Sequence, residues 1–154
     1  MSLTEGAKAP DFSLPATGGR TVSLKELKGR PFVLYFYPRA DTPGCTKEAC
    51  AFQEGLPDFS KLGVTVIGVS KDSMKALEKF ATKYNLTFPL ASDPEAKMIE
   101  AYGAWQEKSL YGRKYMGIER STVLVSEAGK VAKHWPKVKV AGHAEEVLAA
   151  VQAL

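Results

Sequence analysis

Short apolar runs, separated by polar and glycine-containing stretches, mark the expected strands of this chain. The runs "FVLYFY" at 32–37 and "VTVIGVS" at 64–70 are continuous and rich in β-branched and aromatic residues, which is typical of strands buried on both faces of a sheet. "STVLVS" at 121–126, the turn "EAGK" and "VAKHWP" predict an antiparallel hairpin. Two alternating runs around "TGG" at 12–24 predict another hairpin near the start of the chain.

A different period, with apolar residues every three to four positions, predicts the helices. The first full helix begins at Thr42, which can cap it, followed by Pro43, a residue favoured in a first turn. We expect this helix to end at the break marked by Gly55 and Pro57. Four further helical segments are predicted, at 24–29, 73–85, 93–103 and 143–154. The polar, glycine-containing stretch 104–120 is expected to be a connection.

The order of these elements indicates the fold class. A β-α-β-α order is followed by an antiparallel hairpin and a C-terminal helix, with a cysteine at the start of the first full helix. This arrangement resembles an α/β thioredoxin-like fold, with a central mixed sheet flanked by helices and an N-terminal β-hairpin extension. The 154 residues, 45% apolar and 25% charged, suit a single domain over residues 1–154.

Composition and charge argue against several classes of protein. No apolar run approaches the roughly 20 residues of a membrane-spanning helix, and the start "MSLTEGAKAPDF" lacks the apolar core of a secretory signal. We therefore expect a cytoplasmic protein that does not act at a membrane. The 21 Lys and Arg against 17 Asp and Glu give a net charge of +4, but the basic residues are scattered, which argues against nucleic-acid binding.

The chain has two cysteines, Cys45 and Cys50, five positions apart in "YFYPRADTPGCTKEAC". Two thiols in a cytosolic protein favour a redox pair over a disulfide scaffold, and the alternative is a pair of inert buried thiols. A zinc site is not expected, because the two histidines, His134 and His143, are distant in sequence and lack the usual ligand spacing. We expect structural or surface roles for both histidines.

A reactive thiol at Cys45 requires positive surroundings. A free thiol has a pKa of about 8.5 and is only a few per cent thiolate at neutral pH, whereas the thiolate is the nucleophile. Lowering such a value to about 6 requires roughly 3.4 kcal/mol, whereas a helix N-terminus supplies about 0.3–1 kcal/mol and at most about 2 kcal/mol. An arginine close to the sulfur would supply the rest of this free energy, because its guanidinium stays charged. The candidates are Arg39, Arg113 and Arg120. Arg120 is preferred because it immediately precedes a predicted strand.

The spacing of the two cysteines also limits how they pair. Five residues of helix give about 7.5 Å of rise and about 140° of rotation, so the Cα atoms are about 9 Å apart, beyond the roughly 7 Å limit for a disulfide. If Cys45 and Cys50 pair, the first turns of the helix must unwind. The chain would then switch between a folded reduced state and a locally unfolded oxidised state.

Several segments together resemble the peroxiredoxin family, specifically its Q-type or bacterioferritin-comigratory-protein branch. They are "YFYPRADTPGCTKEAC", "GVSKDS", "FPLASD", "YGRKYMGIERSTVLV" and "VKVAGHAEEVL", and the resemblance covers the chain from about residue 6 to about residue 151. Its most specific element is the P-x-x-x-T-x-x-C arrangement of Pro38, Thr42 and Cys45, with Arg120 at the expected place.

The resemblance implies a thiol-dependent peroxidase with the peroxiredoxin variant of the thioredoxin fold. Cys45 would attack hydrogen peroxide or an alkyl hydroperoxide and become a sulfenic acid. Cys50 would resolve it as an intramolecular disulfide, which thioredoxin or a glutaredoxin-like protein then reduces. The Thr42 hydroxyl, the Cys45 backbone N–H group and Arg120 would donate hydrogen bonds to the leaving oxygen.

The resemblance assigns lesser roles to other positions. Pro38 and Pro43 would shield the sulfur from water, and no metal or organic cofactor would take part. Apart from the resemblance, we expect either a monomer or a weak homodimer, and the sequence does not distinguish between them. Tyr37 is expected to line the mouth of the site. Glu48 either orients an arginine or merely favours the N-terminal half of its helix.

The match to the family has departures, and other functions remain open. Ala76 and Leu77 stand where Ser-His is expected, which removes a polar group near the site, and Arg39 and Ala40 replace the commoner Lys-Asp. A disulfide oxidoreductase would require C-x-x-C, whereas four residues separate these cysteines. A redox-gated binding protein or holdase would use the same cysteine pair to expose a partner surface.

Overall fold

The computed structural model describes residues 3–154. The strands are β1 (Ser13–Ala16), β2 (Arg20–Ser23), β3 (Phe32–Phe36), β4 (Thr65–Ser70), β5 (Leu90–Ser92), β6 (Trp105–Leu110), β7 (Arg113–Ile118), β8 (Ser121–Val125) and β9 (Val131–Trp135). The helices are α1 (Leu24–Leu27), α2 (Pro43–Lys61), α3 (Met74–Tyr84), α4 (Lys97–Ala101) and α5 (His143–Gln152).

Seven strands form a mixed sheet in the order β2-β1-β5-β4-β3-β8-β9, and β6 pairs with β7 in a separate hairpin. The central strands β5, β4 and β3 are parallel, whereas the outer pairs are antiparallel. The predicted mixed sheet and N-terminal hairpin are therefore confirmed. α3 also agrees with its sequence pattern, since Ser73 caps its start and Asn85 ends it in a left-handed conformation.

Alternate residues of β3 point into two separate cores. Phe32, Leu34 and Phe36 pack with α4 and the N-terminal segment on one face of the sheet. Val33 and Tyr35 pack on the other face, against residues of α2, α3 and α5. Each large apolar side chain buried in this way contributes about 1.5–3 kcal/mol. The central strand is thus fixed between two apolar layers.

α2 is longer than the sequence pattern predicts. We expected this helix to end at Gly55 and Pro57, which is wrong, because α2 continues to Lys61 with Pro57 inside it. A proline inside a helix lacks the N–H group of one backbone hydrogen bond and costs about 3 kcal/mol. The rings of Phe52 and Phe59, on either side of the proline, are buried in the core against residues of other elements, and this burial favours continuation of the helix.

The expected connection at 104–120 contains an unpredicted hairpin, formed by β6 and β7. Its strands are mostly exposed and polar, so they lack the apolar pattern by which strands are recognised in a sequence. The turn itself was the available signal, because a two-residue loop ending in Gly112 is typical of a hairpin. β5 was also missed, since three residues are too few to show a period.

The two segments that carry the candidate site meet at one end of the sheet. Phe36, the last residue of β3, is paired with Ser121, the first residue of β8. The loop after β3 leads directly into α2, and Arg120 directly precedes β8. The pairing of β3 with β8 therefore brings the start of α2 close to Arg120.

Candidate active site

Cys45 lies in the first turn of α2, with only 2% of its surface exposed. Thr42 occupies the cap position and Pro43 the first helical position. The first backbone hydrogen bond of the helix runs from the N–H group of Thr46 to the carbonyl of Thr42. The N–H groups of Gly44 and Cys45 precede it and have no partner within the helix, so positive partial charge gathers around the sulfur.

Arg120 lies directly against this sulfur. Its Nη2 is 3.2 Å from Cys45 Sγ, and its Nη1 donates to Glu48 Oε1 at 2.7 Å. Gly44 leaves room for this contact, since a Cβ atom at that position would lie only 3.2 Å from Arg120 Nη2. Of the three candidate arginines, the structure brings Arg120 to the thiol. The other two are exposed: Arg39 and Arg113.

Glu48 is buried beside Arg120, one turn of α2 beyond Cys45. Burial raises the pKa of Glu48 to about 7, although the nearby Arg120 acts to lower it. Burial also acts to lower the pKa of Arg120, but Glu48 and Cys45 more than offset this and the pKa of Arg120 is raised. Glu48 thus holds one nitrogen of the guanidinium while the other faces the sulfur. Its second oxygen, Oε2, has no hydrogen-bond partner within residues 3–154.

Two other elements of the fold hold the loop that precedes α2. The backbone N–H group of Ala40 donates at 2.8 Å to Oδ2 of Asp72, which lies just beyond the end of β4. Asp41 has a left-handed φ of 59° and accepts hydrogen bonds from Lys83 Nζ at 2.9 Å and from the Tyr84 hydroxyl at 2.8 Å. These anchors were not predicted, because no local pattern links the loop to distant side chains. Asp72 does lie in "GVSKDS", one of the segments that resemble the family.

Two expectations about side chains near the site are wrong. The Thr42 hydroxyl does not cap α2 but donates to the Arg39 carbonyl at 3.0 Å, because the preceding loop brings that carbonyl within reach. Tyr37 does not line the mouth of the site, since it is 1% exposed and its ring packs against Tyr35 and Phe80. Position 37 continues the alternation of β3 and therefore points into the core.

Cys50 is half-buried and lies on the same unbroken helix as Cys45. Both thiols are free. In regular helix geometry their Cα atoms are about 9 Å apart, beyond disulfide range, so this conformation is that of the reduced protein. Pro38 and Pro43 are exposed, near the two ends of the loop before Cys45.

His143 has a structural environment at the start of α5. Its Nε2 lies 2.8 Å from Thr122 Oγ1, and its ring meets Phe52 and Trp135 edge-on. Burial lowers the pKa of His143. Within residues 3–154, no three or more His, Cys, Asp or Glu side chains cluster so as to hold a metal ion. Over the same range, no helix has the length and apolar content needed to cross a bilayer.

The buried carboxyl group of Glu48 predicts a pH dependence of stability. Its pKa is about 7 in the folded chain against an ordinary 4.5, so the folded state retains a proton that the unfolded state loses between these values. The stability of the protein relative to Glu48→Gln should therefore be greatest below pH 4.5 and fall by roughly 1–3 kcal/mol as the pH rises past 7.

Urea unfolding of the protein and of Glu48→Gln at a series of pH values measures this difference. Glu54→Gln, at an exposed glutamate of the same helix, is the matched control for the loss of one negative charge. A difference between the protein and Glu48→Gln that stays constant from pH 5 to pH 8 would contradict the prediction.

Comparison with known proteins identifies the family. The AhpC/TSA family model matches residues 6–134. A putative peroxiredoxin of Coxiella burnetii is 52% identical over 148 residues, which cover 96% of this chain and 98% of the relative. Peroxiredoxin Bcp of Bacillus subtilis is 47% identical over 148 residues, covering 96% and 94%.

Solved structures agree with these relatives. A peroxiredoxin Q of Xylella fastidiosa superposes with a TM-score of 0.94 at 37% identity, covering 99% of this chain and 98% of its own. The bacterioferritin comigratory protein of Xanthomonas campestris, studied for alkyl peroxide reduction, superposes with a TM-score of 0.91 at 42% identity, covering 97% and 98%. With this similarity along nearly its whole length, the chain belongs to the AhpC/TSA family as a peroxiredoxin of the Bcp or Q type, a thiol peroxidase with a thioredoxin-like fold.

Proposed function

We propose that this chain reduces hydrogen peroxide and alkyl hydroperoxides through Cys45. The thiolate attacks one peroxide oxygen, the O–O bond breaks, and the second oxygen leaves as water or an alcohol after taking up a proton. Cys45 becomes a sulfenic acid. The observation that carries the proposal is the 3.2 Å contact of Arg120 Nη2 with Cys45 Sγ, which stabilises the thiolate and supplies a donor for the leaving oxygen. The alkyl peroxide reduction studied for the Xanthomonas campestris relative supports the inclusion of alkyl hydroperoxides.

The groups around Cys45 have complementary roles in this step. Arg120 and the free N–H groups of the first helical turn provide fixed positive charge where the leaving oxygen becomes negative. The Thr42 hydroxyl donates to the Arg39 carbonyl, so its oxygen is oriented to accept a hydrogen bond from the O–H group of a bound hydroperoxide. This role differs from the donor role expected of Thr42 from the resemblance.

Cys50 resolves the sulfenic acid in the proposed cycle. Its thiol displaces the sulfenic oxygen as water and forms a disulfide with Cys45. Because α2 is continuous through both cysteines, its first turns must unwind before the sulfurs meet. Thioredoxin or a glutaredoxin-like dithiol then supplies two electrons and two protons to restore both thiols.

Mass spectrometry of Cys50→Ser after one equivalent of peroxide tests this sequence of steps. We expect Cys50→Ser to stop at the sulfenic acid, one oxygen heavier than the thiol, whereas the unaltered protein loses two hydrogens and forms the disulfide. Amide exchange across 43–52 should be faster in the oxidised protein than in the reduced protein, because the first turns of α2 have opened.

Two outcomes would contradict the cycle. One is a disulfide-free, singly oxygenated product in the protein that retains Cys50, and the other is equal amide protection in both redox states. A redox-gated binding protein using the same pair would also be recycled by dithiothreitol, but its function requires only the disulfide and not fast attack on peroxide. Stopped-flow measurement of the Cys45 thiol in Cys50→Ser separates the two functions, because a peroxidase loses this thiol rapidly when peroxide is added.

A further inference from the structure

The hairpin β6–β7, hereafter the arm (residues 105–118), exposes an unusual share of apolar surface. Tyr111 is 97% exposed and Leu110 57% exposed, and Tyr115 and Met116 are about half exposed. Of the six large apolar side chains exposed within residues 3–154, four belong to the arm. Apolar groups gathered in this way on an otherwise polar element are typical of a surface that contacts a partner.

The backbone conformation at the tip of the arm indicates that Tyr111 serves to contact a partner. Tyr111 and Gly112 form the two-residue turn, with φ values of 51° and 77°. Positive φ at both positions favours Asn, Asp or Gly, and a side chain such as tyrosine costs about 1–2 kcal/mol there. Because Tyr111 is almost fully exposed, contacts within the chain do not offset this conformational cost.

The pairing register divides the arm into two different faces. Lys108 pairs with Tyr115 and Leu110 pairs with Arg113, so these four side chains share one face, hereafter the outer face. Gly117 lies on it too, since a Cβ atom there would meet Lys108 at 3.3 Å and the Tyr115 ring at 3.4 Å. The structure describes the whole arm, and the outer face contains two cations, two large apolar groups and no carboxylate.

The opposite face of the arm is electrostatically balanced. Glu107 pairs with Met116 and Ser109 with Lys114 on that side, and Lys114 Nζ lies 3.8 Å from Glu107 Oε1. The uncompensated positive charge of the arm is therefore on the outer face.

The base of the arm adjoins the candidate active site on two sides. Arg120 follows the arm by two residues, and a hydrogen bond of 2.7 Å from the Glu119 N–H group to the Ala104 carbonyl closes the base. Lys71 Nζ lies 4.7 Å from the centre of the Trp105 ring, and the next residue, Asp72, anchors the loop before Cys45. The arm is about 17–20 Å long, shorter than the roughly 30 Å diameter of a small domain. A domain-sized partner seated at Cys45 and Cys50 is therefore large enough to contact the arm as well.

We propose that the outer face and tip of the arm dock the protein reductant of the Cys45–Cys50 disulfide. The proposal rests on the proposed function, which requires a protein dithiol at this place in every cycle. The partner that fits is a small dithiol protein whose reactive cysteine is surrounded by apolar surface with carboxylates at its rim. Leu110, Tyr111 and Tyr115 would contact the apolar part, and Lys108 and Arg113 the carboxylates.

A second copy of this chain fits the outer face less well. In a two-fold dimer the same patch meets itself, so two Lys108 and two Arg113 side chains would face each other. Like charges brought together in an interface oppose association. Charge complementarity therefore favours a different protein with an acidic surface over a second copy of this chain.

The double variant Leu110→Ser/Tyr111→Asn tests the apolar part of this docking surface. Asparagine suits the left-handed turn position, so the hairpin is preserved. Turnover of excess peroxide is followed with a bacterial thioredoxin system, with a glutaredoxin system and with dithiothreitol. We expect kcat/KM for the protein reductant to fall roughly tenfold or more, with dithiothreitol-supported turnover and the single-turnover peroxide rate unchanged. Leu154→Ser, at a leucine of nearly equal exposure, 59%, is the matched control and should leave all three rates unchanged.

The variant Arg113→Glu tests the charged part. We expect it to lower kcat/KM for the protein reductant roughly tenfold at low ionic strength and to flatten the decline of that rate with added salt. Arg30→Glu, at an exposed arginine near the opposite end of β3, makes the same change of charge away from the arm and should have little effect.

The outcomes separate this proposal from the proposed function. If peroxide is not consumed even with dithiothreitol, the proposed function fails and the docking proposal fails with it. If dithiothreitol supports turnover but neither protein system does, or if the arm variants keep full kcat/KM with a protein reductant, the docking proposal alone is overturned. Three further outcomes overturn it when reductant kinetics are unchanged in the double variant. They are the loss of a dimer detected by sedimentation, the loss of binding to single-stranded DNA, and the loss of binding to phosphatidylglycerol vesicles.

Discussion

Replacement of Cys45 by serine is expected to abolish peroxide reduction, with the second-order rate constant for hydrogen peroxide falling at least about a thousandfold. The reason is chemical, because a serine hydroxyl is not ionised at neutral pH and cannot form a sulfenic acid. The side chain is small and buried at the start of α2, so the exchange of sulfur for oxygen should leave the fold intact. Stopped-flow kinetics with peroxide in excess measures the loss.

The matched control is Cys50→Ser, which makes the same chemical change five residues away. We expect its first encounter with peroxide to proceed at the unaltered rate, while turnover stops after the sulfenic acid forms. Thermal unfolding of both variants, followed by circular dichroism, checks that the fold is retained. Full peroxide turnover by Cys45→Ser with a thioredoxin system would refute the assignment of the nucleophile.

Replacement of Arg120 by methionine is expected to slow attack on peroxide about 10- to 100-fold. A hydrogen bond to a charged group contributes about 1.5–3 kcal/mol, and each 1.36 kcal/mol changes a rate about tenfold. Methionine fills much of the space of the arginine stem but removes the guanidinium that contacts Cys45 Sγ. It also leaves Glu48 without its ion pair, so that this buried carboxyl group should hold its proton to higher pH.

Arg39→Met is the matched control for the Arg120 variant. Arg39 lies close to Cys45 in sequence but is exposed, so the control removes the same charge without removing a contact to the sulfur. We expect its peroxide kinetics to match those of the unaltered protein. An Arg120→Met rate equal to that of Arg39→Met would exclude the guanidinium from the reaction.

Local patterns predicted those parts of the fold that depend on local rules. The buried strands β3, β4 and β8 appear as continuous apolar runs, and α3 carries its own cap and its left-handed end at Asn85. The extension of α2 through Pro57 was not predictable, since contacts of Phe59 with other elements decide it. The arm was missed because its strands are exposed and gain no apolar period from burial.

The candidate site divides in a similar way. The position of Cys45 in the first turn of α2 follows from the neighbouring threonine and proline, and Arg120 could be chosen because it stands at the start of a strand. The contacts that orient these groups were not predictable in detail. Asp72, Lys83 and Tyr84 reach the loop before Cys45 from the segment after β4 and from α3, at sequence separations of 32 to 43 residues. The burial of Tyr37 agrees with the apolar run 32–37, which predicts a strand buried on both faces, so its placement at the mouth of the site conflicted with that pattern.

The central claim is that Arg120, through its contact with Cys45 Sγ, activates this sulfur as a nucleophile. The most direct measurement is the rate of alkylation of Cys45 by iodoacetamide at pH 7, in Cys50→Ser and in Cys50→Ser with Arg120→Met. We predict a rate at least about tenfold higher with Arg120 present than without it. Equal alkylation rates in the two proteins would contradict the claim.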